Sequence, residues 1–153
     1  MGSNGLRFSK KTEYGLLALI AMAMQQDRGG GRLTTRDVAA RQRIPERFLE
    51  QQITALRNAG LVHSHRGALG GCALARRADT ITVLEVVETL EGAILEPPGE
   101  DEDSKERPEA GSIVELVVRA QTALSELFGS VTIADLARRE EELREQASQM
   151  FYV

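Results

Sequence analysis

The sequence predicts a mainly α-helical chain carrying one two-stranded β-hairpin, and three observations lead there. Apolar residues recur at three- and four-residue spacing in segments that open with Ser, Thr or Pro, the residues that start helices. The apolar fraction of 42% rests on aliphatic residues, with no Trp, two Tyr and four Phe, a composition that leans towards helix. Strand-like character is confined to one stretch, "LVHSHRGALGGCALAR" (61–76), with glycines at its centre. At 153 residues the chain makes one domain, or one small domain with an extension.

Ser9 caps a first helix in which Leu16, Leu17, Ile20, Ala21 and Met24 form an apolar stripe. "DRGGGR" (27–32) then interrupts, because three consecutive glycines do not sustain a helix; no Gly-Lys-Ser/Thr follows, so it is not a phosphate loop. Thr34 and Asp37 form a capping box with Asp in place of Glu and launch a short helix through Gln42. Pro45 suits the first turn of a third helix, since its missing N–H costs nothing there, and Gly60 ends that helix. Phe48, Leu49, Ile53 and Leu56 make its apolar stripe, leaving Arg47, Glu50, Gln51, Thr54 and Arg57 on other faces.

"LVHSHR" and "CALARR" read as short strands around "GALGG", where a hairpin turn needs positive φ. Thr82, with Glu85 three residues on, opens a helix that runs to Gly92. Residues 97–112 hold three prolines and no large apolar side chain, and are expected to form a mobile acidic loop. A long helix follows at Ile113–Phe128, with Ile113, Leu116, Val117, Ala120, Leu124, Leu127 and Phe128 in register. Val114 and Val118 widen that stripe beyond the needs of one small core, which calls for a second neighbour. Thr132 and Asp135 start a final helix with a charged later part. The expected organisation is therefore a unit at 6–80, a linking helix at 81–96, the loop at 97–112, and two helices at 113–148.

Charge narrows the function. Residues 1–78 hold 13 Lys/Arg against 5 Asp/Glu (+8), and residues 79–153 hold 6 against 18 (−12). Solvated faces explain surface charge in general but not this segregation, which suits a polyanionic partner for the first half. The longest apolar run, "GLLALIAMAM", is about half of the roughly 20 residues that span a bilayer, and no basic-then-apolar signal precedes it. One cysteine excludes an intramolecular disulfide and suits a reducing compartment, so the expected location is cytoplasmic, with no membrane partner. No nucleophile–base pair, paired carboxylates or phosphate loop supports an enzyme.

Two helices joined by the tight "RIP" turn and followed by a glycine-tipped hairpin describe a winged helix-turn-helix, whose second helix fits the DNA major groove. "FLEQQITALRNAGLVHSHRGALGGCALAR" resembles the signature of the IscR/NsrR/CymR-type (Rrf family) bacterial transcription regulators. "YGLLALIAMA", "ITVLEVVETLEG" and "VTIADL" fall in that family's order. The resemblance implies a homodimer bound to double-stranded DNA, with the long helix as dimerisation helix through Ile113, Leu116, Val117, Ala120, Leu124 and Leu127. It also implies base reading by Pro45, Arg47, Glu50 and Arg66, where Pro45 replaces the Ser that relatives often have. Arg47 suits a guanine or a phosphate, Glu50 a cytosine amino group, and Arg66 the minor groove. Lys10, Lys11, Thr12, Tyr14 and Arg57 are expected phosphate contacts, and Thr35, Gln51 and Gly67 complete the DNA-facing set. Taken singly, each charged residue fits a solvated surface equally well.

The family pattern breaks at the cofactor. Many relatives hold an iron–sulfur cluster through three closely spaced cysteines before the dimer helix. Here "EPPGEDEDSKERPEAGS" has neither cysteine nor histidine, and clusters typically take four ligands. No cofactor is expected, and regulation falls to a protein partner, a small ligand or a thiol. Cys72 reads first as a small packing residue; the rival reading is a redox sensor whose thiol Arg66, Arg76 and Arg77 would activate. His63 and His65 share a strand face but are too few for a zinc site, and the acidic run Glu100–Asp103 reads as a solvated loop rather than a cation site. The expectation is a dimeric repressor on an imperfect palindrome, against a protein-interaction adaptor that kept the fold and lost DNA binding.

Overall fold

The structure, a computed structural model, describes residues 7–67, 70–92 and 110–152. Among the described residues, six helices and one hairpin follow in the predicted order. Helix α1 (Lys10–Asp27) starts at Ser9, whose hydroxyl accepts from the Thr12 main-chain N–H, and it is buried on more than its predicted stripe. The reason is its central place: α1 packs against the helices at Glu46–Asn58 and Val83–Glu91, the second strand and the last helix. Where it passes the Val83–Glu91 helix, a Cβ on Gly15 would lie 2.3 Å from Leu90 Cδ1, so a larger residue there would displace the Leu90 side chain.

Helix α2 (Thr35–Gln42) is capped by Thr34, which accepts from Asp37 N–H at 3.0 Å, and it ends at Arg43 in the left-handed region (φ 55). Ile44 is buried in the turn and Pro45 takes the N-cap of α3 (Glu46–Asn58). Pro45 thus sits one position before the first turn expected for it. With no side-chain acceptor it leaves that helix start uncapped. Leu49, Ile53 and Leu56 are buried as predicted and Phe48 half-buried. Past the end of α3, Gly60 adopts φ 77 while Gly60 and Leu61 donate back to Arg57 and Leu56, closing a Schellman motif.

Strands β1 (Val62–His65) and β2 (Gly71–Leu74) pair antiparallel, with Val62 opposite Leu74 and Ser64 opposite Cys72. Val62, Cys72 and Leu74 turn inwards while His63 and His65 stay exposed. Leu33 adds a bridge on the other edge of β2, exchanging two main-chain hydrogen bonds with Cys72. Gly71 has to be glycine there: its φ is 143, and a Cβ would meet Leu33 O at 2.8 Å.

After a 3-10 turn at Ala78–Thr80, α4 (Val83–Glu91) begins with the predicted Thr82–Glu85 capping box. Helix α5 runs Ala110–Ser130 and α6 runs Ile133–Met150, the latter from a Thr132–Asp135 capping box. The expected loop at 97–112 is corrected at its end. Residues 110–112 are the first turn of α5, where the helix gains main-chain hydrogen bonds that Gly111 only weakens, and 97–109 lie outside the described residues. Thr82 and Thr132 face each other in an isolated bridge, so α4 and α6 start back to back. Arg28 then fastens α1 to α6 through both carboxylate oxygens of Glu141, at 2.8 and 3.0 Å. The core gathers Leu19, Leu49, Leu56, Leu61, Ile81 and Ile133, all less than 2% exposed.

Candidate nucleic-acid interface

Because Leu49, Ile53 and Leu56 anchor one side of α3, its opposite side is presented to solvent. Arg47, Glu50, Gln51, Thr54 and Arg57 are all exposed there, and the first four line a shallow depression of about 410 Å3. The Thr54 hydroxyl donates to the Glu50 main-chain carbonyl at 2.8 Å, and Glu50 is exposed. Arg66 and Gly67 are exposed at the end of β1, with Gly67 at φ 112.

The arginines divide by what they touch. Arg28, Arg76, Arg77, Arg138, Arg139 and Arg144 are each paired with a carboxylate. The guanidinium groups of Arg47, Arg57 and Arg66 have no ion pair or hydrogen bond among the described residues, nor do those of Arg36, in the first turn of α2, and Arg43. Unpaired guanidinium groups on the helix-turn-helix and wing are what a phosphate backbone needs. Arg36 and Arg43 were not singled out from sequence; their positions in the second helix and the turn were the available signal.

The start of α1 is more varied. Lys11 is exposed, whereas Lys10 is paired with Glu13 at 3.1 Å and sits 5.6 Å from the centre of the Tyr14 ring. Tyr14 is half-buried and meets Phe48 edge-on at 5.5 Å, tying α1 to α3. Thr12 does not belong to the interface. It is fully buried, and its hydroxyl donates to Glu91 Oε1 at 2.7 Å, so the expected phosphate contact is corrected to a tertiary link between α1 and α4. Thr35 is half-buried, with Oγ1 3.7 Å from Cys72 Sγ.

Cys72 itself is 4% exposed, with Ser64 Oγ 3.6 Å from its sulfur. Arg76 is engaged by Glu85 and Arg77 by Asp79, so two of the three cations invoked to activate the thiol are held elsewhere. This geometry favours the packing role. On α5, Ile113, Leu116, Val117, Ala120 and Leu127 are exposed, while Leu124 is half-buried against the rest of the chain. Among the described residues no helix is long and apolar enough to cross a membrane.

Residues 8–139 match the Rrf2 family, described as an iron-dependent transcriptional regulator. The chain belongs to the Rrf2 family. The HTH-type transcriptional regulator CymR of Bacillus subtilis is 36% identical over 149 residues, covering 97% of this chain and all of that protein. The solved structure of CymR, the global cysteine regulator of B. subtilis, matches with a TM-score of 0.71 at 35% identity, over 88% of this chain and 98% of that one. The structure of T. potens IscR matches with a TM-score of 0.69 at 32% identity, over 93% of each chain. The fold is thus that of winged-helix Rrf2 regulators, and members of this family are DNA-binding transcriptional regulators rather than enzymes.

The iron in the family's description does not fit this Rrf2 chain. Its sequence has one cysteine, Cys72, buried between Ser64 and Thr35 on a wing strand. No group of three His, Cys, Asp or Glu that could hold a metal occurs among the described residues. One thiolate per protomer falls short of a cluster's usual four ligands, even when two protomers pair.

Proposed function

We infer that the chain is a sequence-specific repressor that binds an imperfect palindrome in the cytoplasm as a homodimer, without an iron–sulfur cluster. The observation that carries this reading is the outward row Arg47, Glu50, Gln51 and Thr54 on α3, flanked by the unpaired Arg57 and by Arg66 on the wing. A helix fits the major groove, where arginine, glutamate and glutamine side chains distinguish base pairs by their donor and acceptor pattern. The wing then sets Arg66 beside the backbone or into the minor groove. Dimerisation draws support from α5, where Ile113 and Leu116 are 64% and 63% exposed, too apolar a surface to leave in water. Two-fold symmetry of the protein would be mirrored in the operator. Repression follows when such a dimer occupies promoter DNA, and its effector is a small ligand or a protein partner.

Fluorescence anisotropy and footprinting on DNA upstream of the protein's own gene test this reading. Two protomers are expected on one protected palindrome, with half-site centres about one helical turn or a multiple apart. No binding above that to scrambled duplex would favour the adaptor.

A further inference from the structure

A second site lies away from the DNA-facing surface, where the start of α1, the end of α4 and the later part of α5 meet. Here a cavity of about 690 Å3 is lined by Phe8, Val87, Leu124 and Phe128, with Arg7, Ser9 and Glu91 supplying its polar groups. The volume is in the range of small-molecule sites, and an apolar lining with a few placed polar groups is their usual character. The Phe8 and Phe128 rings stand 5.5 Å apart at 43°, forming a firm apolar wall.

The polar groups of this wall are ordered. Ser9 and Thr12 both donate to Glu91 Oε1, and Oε2 carries no hydrogen bond among the described residues. The Ser9 hydroxyl first, then that of Thr12, holds the Glu91 carboxyl below its ordinary range, with Lys11 adding to the effect. At neutral pH Glu91, an exposed residue of the cavity lining, is therefore an anion with one oxygen engaged by Ser9 and Thr12 and the other without a hydrogen bond among the described residues. Arg7 is exposed and makes no ion pair or hydrogen bond among the described residues. One cation and one anion on an apolar lining balance each other. A bare amine would meet Arg7 and Lys11, and a bare carboxylate would meet Glu91; a molecule carrying both charges beside an apolar group meets neither penalty.

We propose that this cavity is an effector site for a small zwitterion with an apolar side chain, such as an apolar α-amino acid. Its ammonium group binds Glu91, its carboxylate binds Arg7, and its side chain packs on Val87, Leu124, Phe8 and Phe128. The site is placed to regulate. Glu91 fixes the first turn of α1, which carries Lys10 and Lys11, and Leu124 and Phe128 belong to the helix proposed to join two protomers. An occupant thus links the start of α1 to the dimer helix, and a differential fit to two arrangements of these elements would shift DNA affinity. The regulatory step rests on the DNA-binding reading above; the binding step does not.

Isothermal titration calorimetry of the full chain, without DNA, tests the site with L-leucine, L-phenylalanine, phenethylamine, 3-phenylpropionate and free glycine. Leucine or phenylalanine is expected to saturate at one site per chain, and the three probes lacking one charge or the apolar group should bind at least about tenfold more weakly. Glu91→Gln, which keeps an acceptor for Thr12, and Arg7→Gln, on an exposed residue, should each weaken binding by about tenfold. Saturating amino acid should then change operator affinity by about threefold or more in the wild type and not in Arg7→Gln. Absence of saturable heat from every probe, or undiminished binding in both variants, overturns the site, whatever the DNA result. Phenethylamine binding as tightly as phenylalanine overturns the zwitterion. Tight amino-acid binding by a protein that ignores DNA would leave the site standing and remove the regulatory role.

Discussion

Glu50 and Arg66 bear opposite charges and are both exposed, so removing each should separate base choice from affinity. Arg66→Ala is expected to weaken specific binding by roughly 1–3 kcal/mol, through loss of a cation with no competing partner among the described residues. Glu50→Ala removes a carboxylate that phosphates repel and only a suitable base rewards, so discrimination should fall more than affinity. Anisotropy titrations on cognate and single-base-changed duplexes read both effects; equal losses on cognate and random DNA would show that neither residue reads sequence. Thr12 is the opposite case, a residue whose place was not legible. "KKTEY" resembles a backbone-binding run, but helical rotation carries Thr12 inwards to Glu91, 79 residues away, and nothing local in the sequence marks that pairing. Thr12→Val keeps the shape and removes the donor, and should cost about 1 kcal/mol in urea unfolding. Thr12→Ser should lie close to wild type.

Helix starts were legible because capping is local chemistry. Ser9, Thr34, Thr82 and Thr132 each cap the helix that begins after them, with the acidic partner of a box three residues on at Glu85 and Asp135. What joins one element to another was not legible. Leu33 pairing with Cys72, and Thr82 bridging Thr132, depend on chain paths that no short window contains. The first turn of α5 was missed for a related reason, since Gly111 argues locally against a helix that the rest of α5 propagates through. The box at α6 has a pH signature. The main-chain N–H of Thr132 first, then its hydroxyl and Arg138, hold the Asp135 carboxyl below its ordinary range. A folded value below the unfolded one contributes stability that is present above the unfolded value, about 3.9 for Asp, and is lost as pH falls through the folded value. Asp135→Asn should therefore lower Tm mainly at neutral pH and approach the wild type in acid, which flattens the acid limb of Tm against pH. At α5 the test is a charge: Leu116→Glu, on a residue 63% exposed in the single chain, should fold yet sediment as a monomer and lose palindrome binding. A stable dimer of that variant would place the seam on another face.

At the scale of the whole chain, two opposite halves, +8 over 1–78 and −12 over 79–153, set how the protein meets DNA. A dimer offering two basic halves should neutralise roughly 6–10 phosphates, giving a log–log salt slope of about −5 to −9; a flat response would count for the adaptor. On the proposed reading the acidic half would repel a polyanion and leave it to the winged helix. That division of labour bears on iron, which the family's description invokes. In this chain the segment before α5 carries carboxylates and no thiol or imidazole, and the one thiol is buried on a wing strand beside Thr35 and Ser64. Hard carboxylate oxygens do not replace the thiolates that hold iron–sulfur clusters, and a lone buried sulfur does not supply the usual four ligands. Protein purified without oxygen should therefore be colourless, with no cluster charge-transfer absorbance and no stoichiometric iron. Operator affinity should be the same from iron-replete and iron-starved cells. Peroxide or diamide should leave DNA binding unchanged as well, because an oxidant would have to reach a sulfur that is 4% exposed. An anaerobic protein that is brown and loses operator affinity on chelation would overturn this, and would require iron ligands outside the described residues.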